Sequence, residues 1–518
     1  MAERGWLRTA WVGPLTFLLH LAGVEPQRVG QLGDDAIYLG MGRSLARSGS
    51  LAVELLPGAP EIAKYPLGWP SLIAVVESLV GSSDPWLLLA LNALLWALAA
   101  QLLVDGLLPK LGAAAGERAA VGLLVAVNTV SFLLVPTAMS EPLFALALVA
   151  SLSLGLGEER RGRLLALVLT GALLGLSRSA GGPLLLVGVG LALFGRRPWL
   201  GLSLGAGWVL QALSGGFQRR GVEAADPILH YYTDYGLHTA WYSGPLREGE
   251  LALLVGRVQE VVGANLHAGP RSLAAFVFPA DFLGVPVEGA GMVLLGVGLF
   301  GLALVGTGLC RPARPLGVLL LAYAGLFLLW TWPFSSRFWL PIAPLVFSGA
   351  VLGLGRLGRV GRMLLWPLVV LVLLGNAPTP LYRGLALLEG SAELAEADLE
   401  LEEGVDWLNG QVMEGDIVIA DSAALWLAGR LDCQGIELRA LLPAEELIGF
   451  AFGTPPQRAL GEPLERLQAL AGPEAKLWLV MMGEPGPGLS PLVAQALAEG
   501  RLEPQGRVGA LEVWSVRR

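Results

Sequence analysis

The sequence predicts a polytopic α-helical membrane protein of about eleven transmembrane helices with a C-terminal α/β domain outside the membrane. Three observations predict it. Across 518 residues, 54% are hydrophobic, only 15% are charged and the mean hydropathy is +0.62, far more apolar than a soluble globular chain of this length. Apolar stretches recur, separated by short linkers in which the arginines gather. After about residue 376 the pattern changes to an acidic helical run followed by alternating short apolar segments.

The first apolar stretch, residues 6–24, follows Arg4 and Arg8 and has no small-residue cleavage site, so it reads as an uncleaved helix with a cytoplasmic N-terminus. The chain then emerges into an outer loop, residues 25–85. Further spans are expected at residues 86–107, 119–137, 142–156, 164–180, 183–194, 199–213, 290–309, 316–332, 338–354 and 363–376. Several are short for a hydrocarbon core of roughly 30 Å. Residues 67–80 are apolar but short and carry Pro70 and Glu77. If they crossed, Arg160, Arg161, Arg163, Arg196, Arg197, Arg311, Arg314, Arg356, Arg359 and Arg362 would all fall outside, against the positive-inside bias. They are therefore read as a juxtamembrane helix on the outer surface. The same parity places outside the turn Ser140-Glu141-Pro142, the loop 214–289 and everything after Asn376. Two domains follow: a membrane domain over residues 1–378 and an α/β domain over 379–518. In the latter, Glu393, Glu396, Asp398, Glu400, Glu402 and Glu403 mark a helix. Residues 416–420 and 477–482 read as buried strands, 490–499 as a helix and 508–516 as a final strand.

Composition also excludes. A net charge of -8 gives nucleic-acid binding no support. Cys310 and Cys433 fall on opposite sides of the membrane and cannot pair. The tail holds no Gly-rich phosphate loop, no metal-ligand cluster and no nucleophile elbow. Cytoplasmic loops of a few residues leave no room for a soluble nucleotide-sugar or ATP site, so any chemistry is outside. That face carries the acids Asp34, Asp35 and Glu141, the cations Lys64, Arg178 and Arg337, and a polar aromatic loop with His230, Tyr231, Tyr232, Asp234, Tyr235 and His238. An enzyme drawing a lipid phosphate from the bilayer needs such a set: a carboxylate to deprotonate an acceptor hydroxyl and cations for the departing phosphate. Each residue also has a structural reading. Asp34 or Asp35 suits a helix N-cap worth about 1 kcal/mol, and Glu141 before Pro142 suits a helix start. Lys64 suits a headgroup anchor and Arg178 the end of a span. The aromatic loop suits an interfacial belt, His20 a packed core position, and His267 has no partner spacing for a metal.

The order of these pieces resembles the GT-C superfamily of polyprenyl-phosphate-sugar-dependent glycosyltransferases, in the branch of protein O-mannosyltransferases and aminoarabinose transferases. The resemblance rests on Gly33-Asp34-Asp35-Ala36-Ile37-Tyr38, Lys64-Tyr65-Pro66-Leu67-Gly68-Trp69-Pro70, Ser140-Glu141-Pro142-Leu143-Phe144 and Arg337-Phe338-Trp339-Leu340-Pro341. It covers residues 6–376 and, weakly, the tail. It implies Asp34 as catalytic carboxylate with Asp35 and Glu141 beside it. It also implies a donor site with Lys64, Tyr38 and Arg337; the cost of an arginine flanked by apolar helix adds Arg178 to that site, and the loop with His230, Tyr231, Tyr232, Asp234, Tyr235 and His238 reads as an acceptor or substrate loop as well as a belt. It implies inverting transfer of a sugar from a polyprenyl-phosphate donor to an acceptor hydroxyl, at the extracytoplasmic face of the cell's inner (plasma) membrane. Only Glu141 stands where relatives carry a paired-acid metal motif, so a site without metal is expected, a divalent cation being the one cofactor left open. Two other classes compete. A transporter or lipid flippase would show paired half-repeats with broken helices, and a non-catalytic assembly or receptor protein would bind through its tail alone.

Overall fold

The structure, a computed structural model, describes residues 9–25, 29–30, 33–81, 84–157, 161–195, 197–218, 229–233, 236–279, 289–376, 392–420, 424–431, 433–442, 446–448, 460–482 and 490–517. The expected boundary at 378/379, Asp234 and Tyr235 lie outside these residues.

The membrane part opens with α1 (Val12–Leu21), α2 (Asp34–Ser48), α3 (Gly68–Val80) and α4 (Pro85–Leu102), the last prolonged by a π turn and a 3-10 turn to Leu111. There follow α5 (Ala115–Ala126), α6 (Thr129–Leu134), α7 (Glu141–Gly155), α8 (Arg161–Ser177), α9 (Gly181–Phe194) and α10 (Pro198–Gln218). Next come α11 (His230–Thr233), α12 (Gly236–Glu248) and α13 (Leu251–Ala274). The bundle closes with α14 (Gly289–Leu309), α15 (Arg314–Leu328), α16 (Ser336–Trp339), α17 (Ala343–Arg356) and α18 (Gly358–Asn376).

Two expected spans are interrupted. Residues 119–137 divide into α5 and α6 because Asn128 turns extended, accepts a hydrogen bond from Ser131 N at 3.2 Å and donates to Phe276 O at 2.7 Å. A side chain that caps the next helix competes with continuing the last one. Residues 338–354 divide at Pro341 into α16 and α17, a proline being unable to donate to the helical ladder. Among the described residues, three helices are long and apolar enough to cross a membrane: Pro85–Leu111, Gly289–Leu309 and Gly358–Asn376. Five more, of 10–17 residues, are apolar but shorter, so length alone does not deliver the expected count of about eleven. Close packing in the bundle comes from small residues. A Cβ on Gly306 would lie 2.0 Å from Gly349 O, so α14 and α17 meet backbone to backbone.

The expected N-cap at the acid pair is corrected. Gly33 holds the N-cap position of α2 with φ 74°, and Asp34 and Asp35 fall in the first turn, where they complement the helix dipole without capping.

The C-terminal domain contains α19 (Ala392–Asn409), α20 (Ala424–Leu431), α21 (Gly461–Ala471), α22 (Ser490–Ala498) and a five-stranded mixed sheet. Its strands are β1 (Ile417–Ala420), β2 (Gln434–Glu437), β3 (Leu477–Met482), β4 (Leu502–Val508) and β5 (Leu511–Val516), in the order β2-β1-β3-β5-β4. β1 runs parallel to β2 and β3, while β5 is antiparallel to β3 and β4. The single final strand expected over 508–516 is instead the second half of a hairpin. β4 escaped notice because Glu503, Pro504, Gln505, Gly506 and Arg507 lie on an exposed edge and carry no apolar alternation. The domain is not suspended from a linker. One buried core runs from Ile37, Met41, Trp69 and Tyr232 of the outer elements into Ile417, Ile436, Leu438 and Leu479 of the sheet. Cys310 and Cys433 are both buried and are not joined to each other.

Candidate functional site

The site forms where α2, the segment after α8, α16, the loop before α3 and the end of β2 converge. Asp34 opens α2 because Gly33 supplies the positive φ that starts it. Its Oδ1 accepts a hydrogen bond from Tyr65 Oη, and its Oδ2 accepts one from Arg337 Nη1 at 2.5 Å. Arg337 also donates through Nε to Glu141 Oε1 at 2.7 Å. The same Glu141 oxygen pairs with Arg178, which stands just past the end of α8. One guanidinium thus ties the acid of α2 to the acid that begins α7. The side chains of Asp34 and Arg337 are 25% and 24% exposed and Glu141 is 1% exposed. Asp34 is therefore open to the cavity, whereas Glu141 is buried behind the two arginines it pairs with.

Lys64 approaches from the loop before α3. Its Nζ donates to Tyr231 O at 2.7 Å and sits 4.5 Å from the Tyr231 ring centroid. Tyr38 pairs its hydroxyl with Ser140 Oγ at 3.1 Å and packs edge-on against Tyr65, centroids 5.1 Å apart. These groups border a cavity of about 470 Å3 whose aromatic wall includes Phe327, Trp330, Trp332 and Phe338.

Burial works against the Asp34 carboxylate, but the Arg337 and Lys64 charges and the Tyr65 hydroxyl outweigh it and bring its pKa down to about 2. Burial pulls Lys64 down to about 8 although Asp34 and Glu437 pull it upward. Asp35 is pushed up to about 6, chiefly by burial. It is placed apart from its neighbour, accepting from Gly30 N at 2.8 Å and Ala36 N at 3.0 Å, and so braces the turn into α2. It does not line the cavity.

Six expected residues are thus brought to the cavity: Asp34, Tyr38, Lys64, Arg178, Tyr231 and Arg337. Glu141 stands one contact behind them. Tyr232 points away, its hydroxyl accepting from Glu437 N at 2.9 Å. His230 begins α11 and does not line the cavity, and His238 lies in α12 with a side chain outside the described set. Sequence reasoning does not assign the aromatic wall of the cavity, nor two polar residues that reach it, Tyr65 and Arg439. Arg439 had one faint signal: Glu437 and Arg439 are the charged pair in the otherwise apolar run from Ile436 to Leu442.

Among the described residues, no three His, Cys, Asp or Glu side chains gather to hold a metal ion. The acids that do approach each other, Asp34 and Glu141, are bridged by Arg337, so a guanidinium supplies the positive charge between them. This donor set does not fit a divalent cation.

The chain is thus a helical bundle with acids and cations at one mouth and an α/β unit packed over them. Its fold is similar to that of ArnT from Cupriavidus metallidurans, solved bound to undecaprenyl phosphate: TM-score 0.53, 15% identity, 98% of each chain covered. An oligosaccharyltransferase from Archaeoglobus fulgidus, in complex with Zn and sulfate, aligns at TM-score 0.47 and 14% identity over 91% of this chain and 67% of its own, too distant to build on. The chain matches no protein-family model and no curated protein. At these identities the likeness to ArnT is one of fold.

Proposed function

We propose that this protein is an integral-membrane glycosyltransferase. It moves a sugar from a polyprenyl-phosphate-linked donor to an acceptor hydroxyl, with inversion, outside the membrane. In this reading the N-terminus is cytoplasmic, the α/β domain is extracytoplasmic, and the membrane is the inner (plasma) membrane. The observation that carries it is a reachable carboxylate, Asp34, set among cations in one cavity with an aromatic wall. Charge balance supports the donor class. Four cations, Lys64, Arg178, Arg337 and Arg439, and one carboxylate, Asp34, line the cavity, a lining that suits the negative charge of a sugar phosphodiester. The ArnT structure of similar fold holds undecaprenyl phosphate, the kind of lipid phosphate that such a donor leaves behind.

The step is a displacement. The acceptor oxygen bonds to the anomeric carbon as the bond from that carbon to the phosphate oxygen breaks, and the hydroxyl proton passes to Asp34. The departing phosphate gains a negative charge, which the cations stabilise where water is excluded. Asp34 is a weak base while Arg337 and Lys64 hold it. A phosphate that draws those cations toward itself loosens the hold and strengthens the base at the moment it is needed. Glu141 keeps Arg178 and Arg337 in place.

The test is sugar transfer from a synthetic polyprenyl-phosphate donor by the purified protein. Asp34→Asn is expected to lower turnover roughly 10²- to 10⁴-fold while donor binding persists. Full turnover in a folded Asp34→Asn protein would refute the assignment. Comparing the lipids and glycans of cells with and without the protein by mass spectrometry would identify the sugar and its acceptor.

A further inference from the structure

The C-terminal domain reaches into the cavity with a charged side chain, Arg439, carried by the 3-10 turn Leu438–Leu441 directly after β2. Its setting is built from both parts of the molecule. Glu437, the last residue of β2 and 2% exposed, accepts Arg439 Nε at 2.6 Å. The backbone around Glu437 is pinned in turn: its N–H meets Tyr232 Oη at 2.9 Å, and Gly435 N donates to Leu55 O at 2.8 Å. Gly33, one residue before Asp34, leaves room for that carboxylate, since a Cβ there would lie 2.7 Å from Glu437 Oε1.

Glu437 engages only the Nε of Arg439. The two Nη groups have no hydrogen-bond partner among the described residues, and the side chain is 29% exposed. Its guanidinium lies 5.8 Å from the Tyr231 ring centroid and 6.0 Å from that of Trp332. Lys64 Nζ lies 4.5 Å from the same Tyr231 ring and has one hydrogen bond, to a carbonyl, and no carboxylate within ion-pair distance among the described residues. An ammonium has three donors, so Lys64 too has capacity left. Two cations with unused donors therefore meet at one tyrosine.

We infer that the α/β domain is a working part of the site: Arg439, oriented by Glu437, is the second cation beside Lys64 in the seat that takes the donor's phosphate. This rests on the transferase reading above. A planar guanidinium with two free Nη groups grips phosphate oxygens in a way that an ammonium cannot, and Glu437 fixes its plane before the ligand arrives. The seat is then completed only with the domain in place.

The experiment measures equilibrium binding of undecaprenyl phosphate and of undecaprenol, the neutral alcohol with the same chain, to the full-length protein in nanodiscs. The ratio of the two affinities isolates the phosphate. Arg439→Ala is expected to weaken phosphate binding about tenfold or more and to leave alcohol binding unchanged, with Arg439→Lys recovering part of the loss. Arg466→Ala, on the exposed face of the same domain, is expected to change neither. Wild-type phosphate preference in Arg439→Ala overturns the inference. So does equal loss of both lipids, which would make Arg439 a support of cavity shape. Lys64→Ala separates the two levels. If it loses the preference and Arg439→Ala does not, only the role of Arg439 fails; if both keep it, the phosphate-donor reading fails with it.

Discussion

At the scale of residues, a few buried charges decide the chemistry. Asp34 and Asp35 are adjacent in sequence and opposite in fate: one carboxylate meets Arg337 and Tyr65, the other meets two backbone N–H groups. Their pKa values separate accordingly, down to about 2 and up to about 6, and environment, not residue type, makes Asp34 the acid that reaches the cavity. Lys64 has the opposite problem. Burial lowers it to about 8, within reach of ordinary working pH, and only its protonated form attracts phosphate. The second ionisation of a phosphate monoester lies near about 6 and is complete by neutral pH. Affinity for undecaprenyl phosphate is therefore expected to fall as pH rises from about 7 to about 9, following the loss of the Lys64 proton. Lys64→Arg is expected to flatten the profile, since arginine keeps its charge throughout. A wild-type titration that stays level over that range would contradict the role given to Lys64.

At the scale of elements, the start of α2 does the positioning. Gly33 combines φ 74° with a Cβ position 2.7 Å from Glu437 Oε1, so Gly33→Ala both strains the backbone, by about 1–3 kcal/mol, and pushes on the acid that orients Arg439. A lower thermal midpoint together with reduced phosphate preference is expected. Unchanged values of both would show that the contact with Glu437 is incidental. Much of this arrangement was legible in the sequence. The costly acids and cations, their order along the chain and the arginine-rich linkers were enough to gather Asp34, Lys64, Arg178 and Arg337 on one face. What was not legible depends on tertiary contact. The break before α6 needs Asn128 to find Phe276 O, and the place of Arg439 needs β2 to dock against Leu55 and Tyr232. No periodicity along the chain reports such contacts. The same limit separates Asp34 from Asp35, because only the folded turn shows which carboxylate faces Gly30.

At the scale of the whole molecule, the α/β domain and the outer elements of the membrane part share one hydrophobic core. Ile436 and Leu438 flank Glu437 and are fully buried in that core, together with Met41, Trp69 and Tyr232. Elements that share a core gain and lose their backbone protection as a unit. Ile436→Ala removes buried methyl groups and is expected to cost about 2–5 kcal/mol. If the core is shared, the loss will not stop at the sheet. Hydrogen-exchange mass spectrometry of the variant is expected to show faster exchange in β1 and β2 and also in α2, which carries Asp34. α14 and α17, which pack in the other large core, are expected to keep wild-type protection. Faster exchange confined to the C-terminal domain would mean that it folds independently and rests on the cavity, so that Arg439 would reach its place by docking alone. Faster exchange in α2 would mean that the helix bearing Asp34 and the strand bearing Glu437 are held by one cooperative unit. The spacing between Asp34, Lys64 and Arg439 would then be fixed by folding before any lipid enters.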